Sequence, residues 1–143
     1  MFSKTCEYAI RAMLFISQKS QNQVKVGIKQ IADAIHAPEP FIAKILQELS
    51  RKGMVLSAKG PNGGFYLDEP GMKNTLADIV FAIDGNQLFT GCGLGLKTCS
   101  EKKPCPIHNQ FSVIRKEIKK MLQSAVLEDF NASLEIGERF LKR

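Results

Sequence analysis

The sequence predicts a mainly α-helical chain with one small β-hairpin wing and a long helix after it. Three observations predict this. Apolar residues recur at three- and four-residue spacing through most of the first fifty positions, and again after position 107. One run of turn formers, Lys59-Gly60-Pro61-Asn62-Gly63-Gly64, separates two short segments that suit strands. The segment 86–106 is too rich in glycine and proline to be either helix or strand, and it carries three of the four cysteines.

The elements follow in order. Lys4 to Gln18 reads as a first helix, with Tyr8, Ala9, Ala12, Met13, Phe15 and Ile16 as its apolar stripe. Ser3 is its expected cap, and Glu7 lies early enough to favour the helix dipole. Gly27 to Ala37 reads as a short second helix with Ile28, Ile31, Ala32 and Ile35 inward, and Pro38 to Lys52 as a third. In the third, Phe41, Ile42, Ile45, Leu46 and Leu49 form the expected buried face, and Gly53 stops it. Val55 to Ala58 and Phe65 to Leu67 are the two strands of the hairpin. Thr75 opens a helix running through Leu76, Ile79, Val80 and Ile83 to Asp84-Gly85. Ile107 to Ser124 is the long helix, with Phe111, Ile114, Ile118, Met121 and Leu122 on one stripe, and Asn131 to Leu141 is a short last one. Helix, short helix, helix and hairpin, in that order, form the plan of a winged helix-turn-helix, whose third helix enters the DNA major groove while the wing reaches phosphates or the minor groove.

Composition narrows the function. The chain has 143 residues and 44% hydrophobic content, which fits an ordinary globular core. Its formal charge of +6 suits a polyanionic partner. No apolar run approaches the ~20 residues of a membrane span, and the N-terminus has no signal-peptide pattern, so a cytoplasmic location is expected. In a reducing compartment four cysteines serve as metal ligands or sensors more readily than as disulfides. No catalytic constellation is visible: there is no nucleotide-binding loop, no paired nucleophile and base, and no C-x-x-C to support a thiol oxidoreductase.

Cys92, Cys99, Cys105 and His108 fall within seventeen residues. Thiolates and imidazole are ligands of zinc and of iron–sulfur clusters, and the spacing by itself permits either. Cys6 reads as a small, partly buried residue of the first helix, and His36 as a polar residue at a helix end. Lys44, Arg51, Lys52 and Lys59 are the basic residues expected on the DNA side, with Lys4 and Gln47 as weaker candidates. Lys102, Lys103 and Lys116 to Lys120 read as solvent-facing.

The chain resembles the Rrf family of bacterial winged-helix regulators, the group that includes IscR and NsrR. The match is carried by Tyr8-Ala9-Ile10-Arg11-Ala12-Met13, Ile31-Ala32 and Phe41-Ile42-x-x-Ile45-Leu46-x-x-Leu49. It continues through Gly53-Met54-Val55, the wing Lys59 to Leu67, the helix Leu76 to Gly85 and the three-cysteine loop. It spans residues 1 to about 125. The resemblance implies a homodimeric DNA-binding regulator acting on a pseudo-palindromic operator, with the long helix pairing across the dimer. It divides the chain into a DNA-binding domain (1–85), a cluster-binding loop (86–106) and a dimerisation helix with a C-terminal helix (107–143).

For the cysteine loop the resemblance implies an iron–sulfur cluster, 2Fe–2S in type, held by Cys92, Cys99 and Cys105, with zinc as the alternative. His108 matches the fourth ligand of the IscR-like branch. Glu7 matches an acidic ligand that some relatives donate from the partner subunit. For DNA it implies contacts from Lys59, Gly60 and Asn62 of the wing and from Glu39, Pro40, Lys44, Gln47 and Arg51 of the third helix, with Lys4 nearby. Two departures stand out. The gap from Cys92 to Cys99 holds six residues, one more than the IscR-like pattern. The third helix opens with Ala37-Pro38-Glu39-Pro40, so its base-reading side chains differ from those of the relatives.

Overall fold

The computed structural model describes residues 1–143. Its elements are α1 (Lys4–Gln21), α2 (Ile28–Ile35), α3 (Glu39–Arg51), β1 (Leu56–Ala58), β2 (Gly64–Tyr66), α4 (Glu69–Met72), α5 (Leu76–Asp84), α6 (Gln87–Thr90) and α7 (His108–Ser124). A 3₁₀ turn at Leu127–Phe130 and α8 (Asn131–Glu135) complete the chain. This is the mainly helical, winged helix-turn-helix architecture the sequence predicts.

α1 is the central element, because its apolar face is wide enough to be covered on several sides. Ala9, Ala12, Met13 and Ile16 are buried, and α2, α3, α5, α8 and β2 all pack on it. Ser3 caps it by accepting a hydrogen bond from the Cys6 N–H at 3.0 Å, worth about 1 kcal/mol. The helix runs three residues past the expected Gln18, to Gln21. Ser20 near its end is buried because its Oγ accepts from the Leu67 N–H at 2.8 Å, fixing the strand that leaves the wing. Ser17 likewise donates to Asn131 Oδ1 at 2.9 Å in the interior, tying the C-terminal segment to α1.

α2 and α3 form the helix-turn-helix. α2 ends because His36 adopts a left-handed conformation (φ 57°, ψ 54°), which turns the chain into Pro38 and α3. α3 buries Ile42, Ile45, Leu46 and Leu49. Phe41, expected on that face, is 55% exposed. Ile42 beside it is fully buried, so the cause is phase: Phe41 stands about 90° round the helix from the centre of the buried face, at its edge, where Tyr8 is its aromatic neighbour at 6.3 Å between ring centroids.

β1 and β2 pair antiparallel, Leu56 with Tyr66 and Ala58 with Gly64. Val26 adds a further bridge to Phe65, through hydrogen bonds of 3.0 and 2.7 Å, and so anchors the wing beside α2. Two glycines make this possible. A Cβ on Gly63 would lie 2.1 Å from the Ala58 carbonyl oxygen, and one on Gly64 (φ +141°) would lie 2.8 Å from the Val26 backbone.

α5 begins with a reciprocal cap: the Asp78 N–H donates to Thr75 Oγ1 and the Thr75 N–H to Asp78 Oδ2. After α7 the chain turns back and pairs with the start of α5, the Leu76 N–H donating to the Ala125 carbonyl at 2.9 Å. Leu122 and Leu127 carry this return into the core. Along the rest of the predicted α7 stripe, Phe111 and Ile118 are half-buried and Ile114 and Met121 are exposed, as is Val113 beside them. The last helix is shorter than the expected Asn131 to Leu141. Gly137, at φ +75°, ends it, and the tail folds back so that Arg11 donates to the Leu141 carbonyl at 3.3 Å. No helix is long and apolar enough to cross a membrane.

Candidate functional site

The predicted DNA face consists of side chains on α3 and the wing. Pro40, Lys44, Gln47 and Arg51 follow one another at four, three and four residues and share one side of α3, opposite Ile42, Leu46 and Leu49. All four are exposed, as is Glu39 at the first helical position. Glu39 lies 4.0 Å from Lys29, whereas Lys44 and Arg51 form no ion pair. Lys59, Gly60 and Asn62 sit in the exposed turn of the wing, and Lys59 is likewise free of ion pairs. Two basic residues behave differently. Lys4 pairs with Glu7 at 3.2 Å and lies over the Tyr8 ring at 5.3 Å. Lys52 pairs with Glu48 at 3.2 Å and also donates to the Ala82 carbonyl, so it braces the end of α3 against α5.

The second candidate site lies where the cysteine loop meets the start of α7. All four cysteines are free thiols. Cys92 is buried; Cys99, Cys105 and His108 are half-buried. Cys99 Sγ and His108 Nδ1 share a hydrogen bond of 3.5 Å. The His108 N–H donates to the Cys105 carbonyl at 3.0 Å. The Cys92 thiol has its pKa held below the ordinary thiol value, first by the nearby backbone N–H groups of Leu94 and Leu96 and less by the Cys105 side chain and the Gly95 backbone, against the opposing effect of burial. Of the four donors, Cys99 and His108 meet side chain to side chain, and Cys105 joins the same turn through its carbonyl. No three of the chain's His, Cys, Asp and Glu side chains converge in the geometry of a metal site.

The donor chemistry nonetheless fits a soft metal or an iron–sulfur group. Three thiols and an imidazole are the right ligands, and N–H groups aimed at sulfur stabilise thiolates and tune such clusters. The positive end of α7, which begins at His108, favours negative charge at the same place. Glu7 stands apart, on the surface, in its ion pair with Lys4. Cys6 beside it is fully buried, more deeply than its reading as a partly buried residue. Burial first, then the charge and hydrogen bond of Asp84 and the charge of Glu7, push its pKa up to about 12.

Sequence reasoning missed Arg115. Its guanidinium donates to the Gly91 carbonyl at 2.5 Å and to Cys99 Sγ at 3.4 Å. The available signal was helical phase: His108, Phe111 and Arg115 stand at i, i+3 and i+7 and so face the loop together. Phe111 packs so closely under the loop that a Cβ on Gly93 would lie 2.8 Å from its ring.

The sequence profile of the Rrf2 family, described as iron-dependent transcriptional regulators, matches residues 2–133. The chain belongs to the Rrf2 family. A protein of Aquifex aeolicus (strain VF5), provisionally named an HTH-type transcriptional regulator, is 33% identical over 131 residues, which are 90% of each chain. The HTH-type transcriptional regulator IscR of Photorhabdus laumondii subsp. laumondii is 26% identical over 129 residues, 90% of this chain and 77% of IscR. The solved structure of CymR (YrzC), the global cysteine regulator of B. subtilis, shares the fold with a TM-score of 0.76 at 23% identity, over 92% of this chain and 96% of CymR. This Rrf2 protein is a transcriptional regulator that binds DNA; the family's members are regulators rather than enzymes.

Proposed function

We propose that this Rrf2 regulator works as a homodimer on a pseudo-palindromic operator, and that Cys92, Cys99 and Cys105 hold an iron–sulfur cluster of the 2Fe–2S type whose presence tunes DNA affinity. His108 is the fourth ligand in this reading, because it already hydrogen-bonds Cys99; Glu7 of the partner subunit is the alternative. The observation that carries the reading is the Cys99–His108 contact at the start of α7, with Cys105 tied to the same turn through its carbonyl. Kinship with IscR, at 26% identity, supports it. When bound, the cluster would cross-link the loop and make it responsive to oxygen, nitric oxide or iron supply.

The residues of this chain supply the route from loop to DNA. α5 leads into the cysteine segment and packs on both α1 and α7. Its end is fastened to the start of α1, where the Ser3 N–H donates to Asp84 Oδ2 at 3.0 Å and the Ser3 hydroxyl donates to Asp84 Oδ1. It is fastened to the end of α3 by Lys52 on the Ala82 carbonyl. A shift of the loop that moves α5 therefore reaches the base-reading helix directly through Lys52, and through the Ser3 tie by way of α1, which packs on α3. Lys59 and the exposed face of α3 supply phosphate and base contacts. Val113, Ile114 and Met121, 60%, 55% and 51% exposed, supply an apolar surface for a second α7.

The test is the visible absorption spectrum of protein purified without oxygen, with iron, sulfide and zinc assayed on the same sample. A coloured protein with matching iron and sulfide is expected. A colourless protein with stoichiometric zinc would replace the sensor with a zinc-stabilised regulator, and failure to take up iron and sulfide on anaerobic reconstitution would leave a cluster-free one. Sedimentation of the same sample reads the dimer.

A further inference from the structure

We infer that Arg115 is a positioning residue for the cluster loop, and that it both clamps the loop onto α7 and tunes the group the loop holds. The second half of this inference rests on the cluster reading above; the first does not. One guanidinium reaches two acceptors that the sequence separates: the Gly91 carbonyl at 2.5 Å, just before Cys92, and Cys99 Sγ at 3.4 Å. Its central carbon, Cζ, lies over the Phe111 ring, 5.8 Å from the centroid. Phe111 in turn fills the space beneath Gly93. The start of the loop is thus held from one side of α7 by a ring and by the two N–H bonds of Arg115 Nη1.

The chemistry requires arginine. Both hydrogen bonds leave one terminal nitrogen, Nη1, whose two N–H bonds are fixed in the guanidinium plane, and the group stays charged at any working pH. A lysine would bring three rotatable donors on a flexible stem and hold the same acceptors with less fixed geometry. A positive N–H donor on a ligating sulfur withdraws electron density, which raises the reduction potential of an iron–sulfur group and slows loss of the ligand.

The experiment compares wild type, Arg115→Ala and Arg115→Lys, each checked for a common melting temperature. On anaerobically reconstituted protein, the midpoint potential should be highest in wild type, lower in Arg115→Lys and lowest in Arg115→Ala. Iron release to a chelator from Arg115→Ala should be about tenfold faster than from wild type. In metal-free protein, amide hydrogen exchange across residues 91–99 should speed up in Arg115→Ala, and less in Arg115→Lys. A loaded Arg115→Ala with wild-type potential and release rate would overturn the tuning role and leave the cluster reading intact. A wild type that takes up no iron and sulfide would sink the cluster reading and the tuning role with it. Unchanged exchange in the metal-free variants would overturn the clamp. If Arg115→Ala does not fold, Arg115→Lys carries the same comparisons.

Discussion

Lys59 offers the sharpest test of how this protein holds DNA. It stands in the exposed turn of the wing and no acidic side chain neutralises it. The backbone around it is set by Gly63 and Gly64, so Lys59→Ala removes a charge and leaves the turn. If the wing of each protomer neutralises one phosphate, the variant loses two contacts and the log–log salt slope of binding flattens by about 1.8. The affinity deficit should then shrink about twelvefold between roughly 50 and 200 mM salt. Fluorescence anisotropy with a labelled operator, titrated at four or five salt concentrations, reads this directly. Lys52→Ala is the control: Lys52 is engaged by Glu48 and the Ala82 carbonyl, so its loss should leave the slope unchanged even if affinity falls. Parallel salt lines for Lys59→Ala and wild type would refute the wing–phosphate reasoning.

Four further outcomes follow from the same structure. Cys99→Ser should abolish the visible chromophore of anaerobically purified protein, and a variant retaining full iron and sulfide would remove Cys99 from the ligand set. His36→Gly should gain about 0.5–1 kcal/mol, since glycine relieves a left-handed side-chain conformation but adds chain entropy to the unfolded state; the Tm should rise by roughly 2 °C, and a fall would show that the His36 side chain stabilises the turn. Leu122→Ala, at a site 1% exposed, should cost about 2–5 kcal/mol in urea unfolding, and a loss well below that would mean α7 is not locked to the core there. Cys6 has its folded pKa raised from 9.0 to about 12. Its contribution to stability is therefore complete below pH 9 and is lost as pH rises towards 12. The urea midpoint of wild type should drop more steeply above pH 9 than that of Cys6→Ala; parallel curves would show that the thiol ionises as easily folded as unfolded.

The sequence by itself determined the elements and their order, because near-neighbour physics decides them. Apolar spacing placed α1, α2, α3, α5 and α7 within a few residues of their ends, and the turn chemistry of Gly60 to Gly64 placed the wing. Soft-ligand clustering marked Cys92, Cys99, Cys105 and His108, and the helix-turn-helix order marked Lys44, Arg51 and Lys59. α4, α6 and the 3₁₀ turn were not legible, since each is a single turn without a periodic stripe. Periodicity also overextended α8, which Gly137 cuts short, and buried Phe41, which lies at the edge of the apolar face of α3. Only the tertiary structure decided which charges are free and which are used. Lys52 reaches Ala82, Ser3 reaches Asp84 and Arg115 reaches back to Gly91, spanning thirty, eighty-one and twenty-four positions. Such contacts depend on how helices cross, and crossing is set by the shape of the whole core; no local pattern in the chain records it.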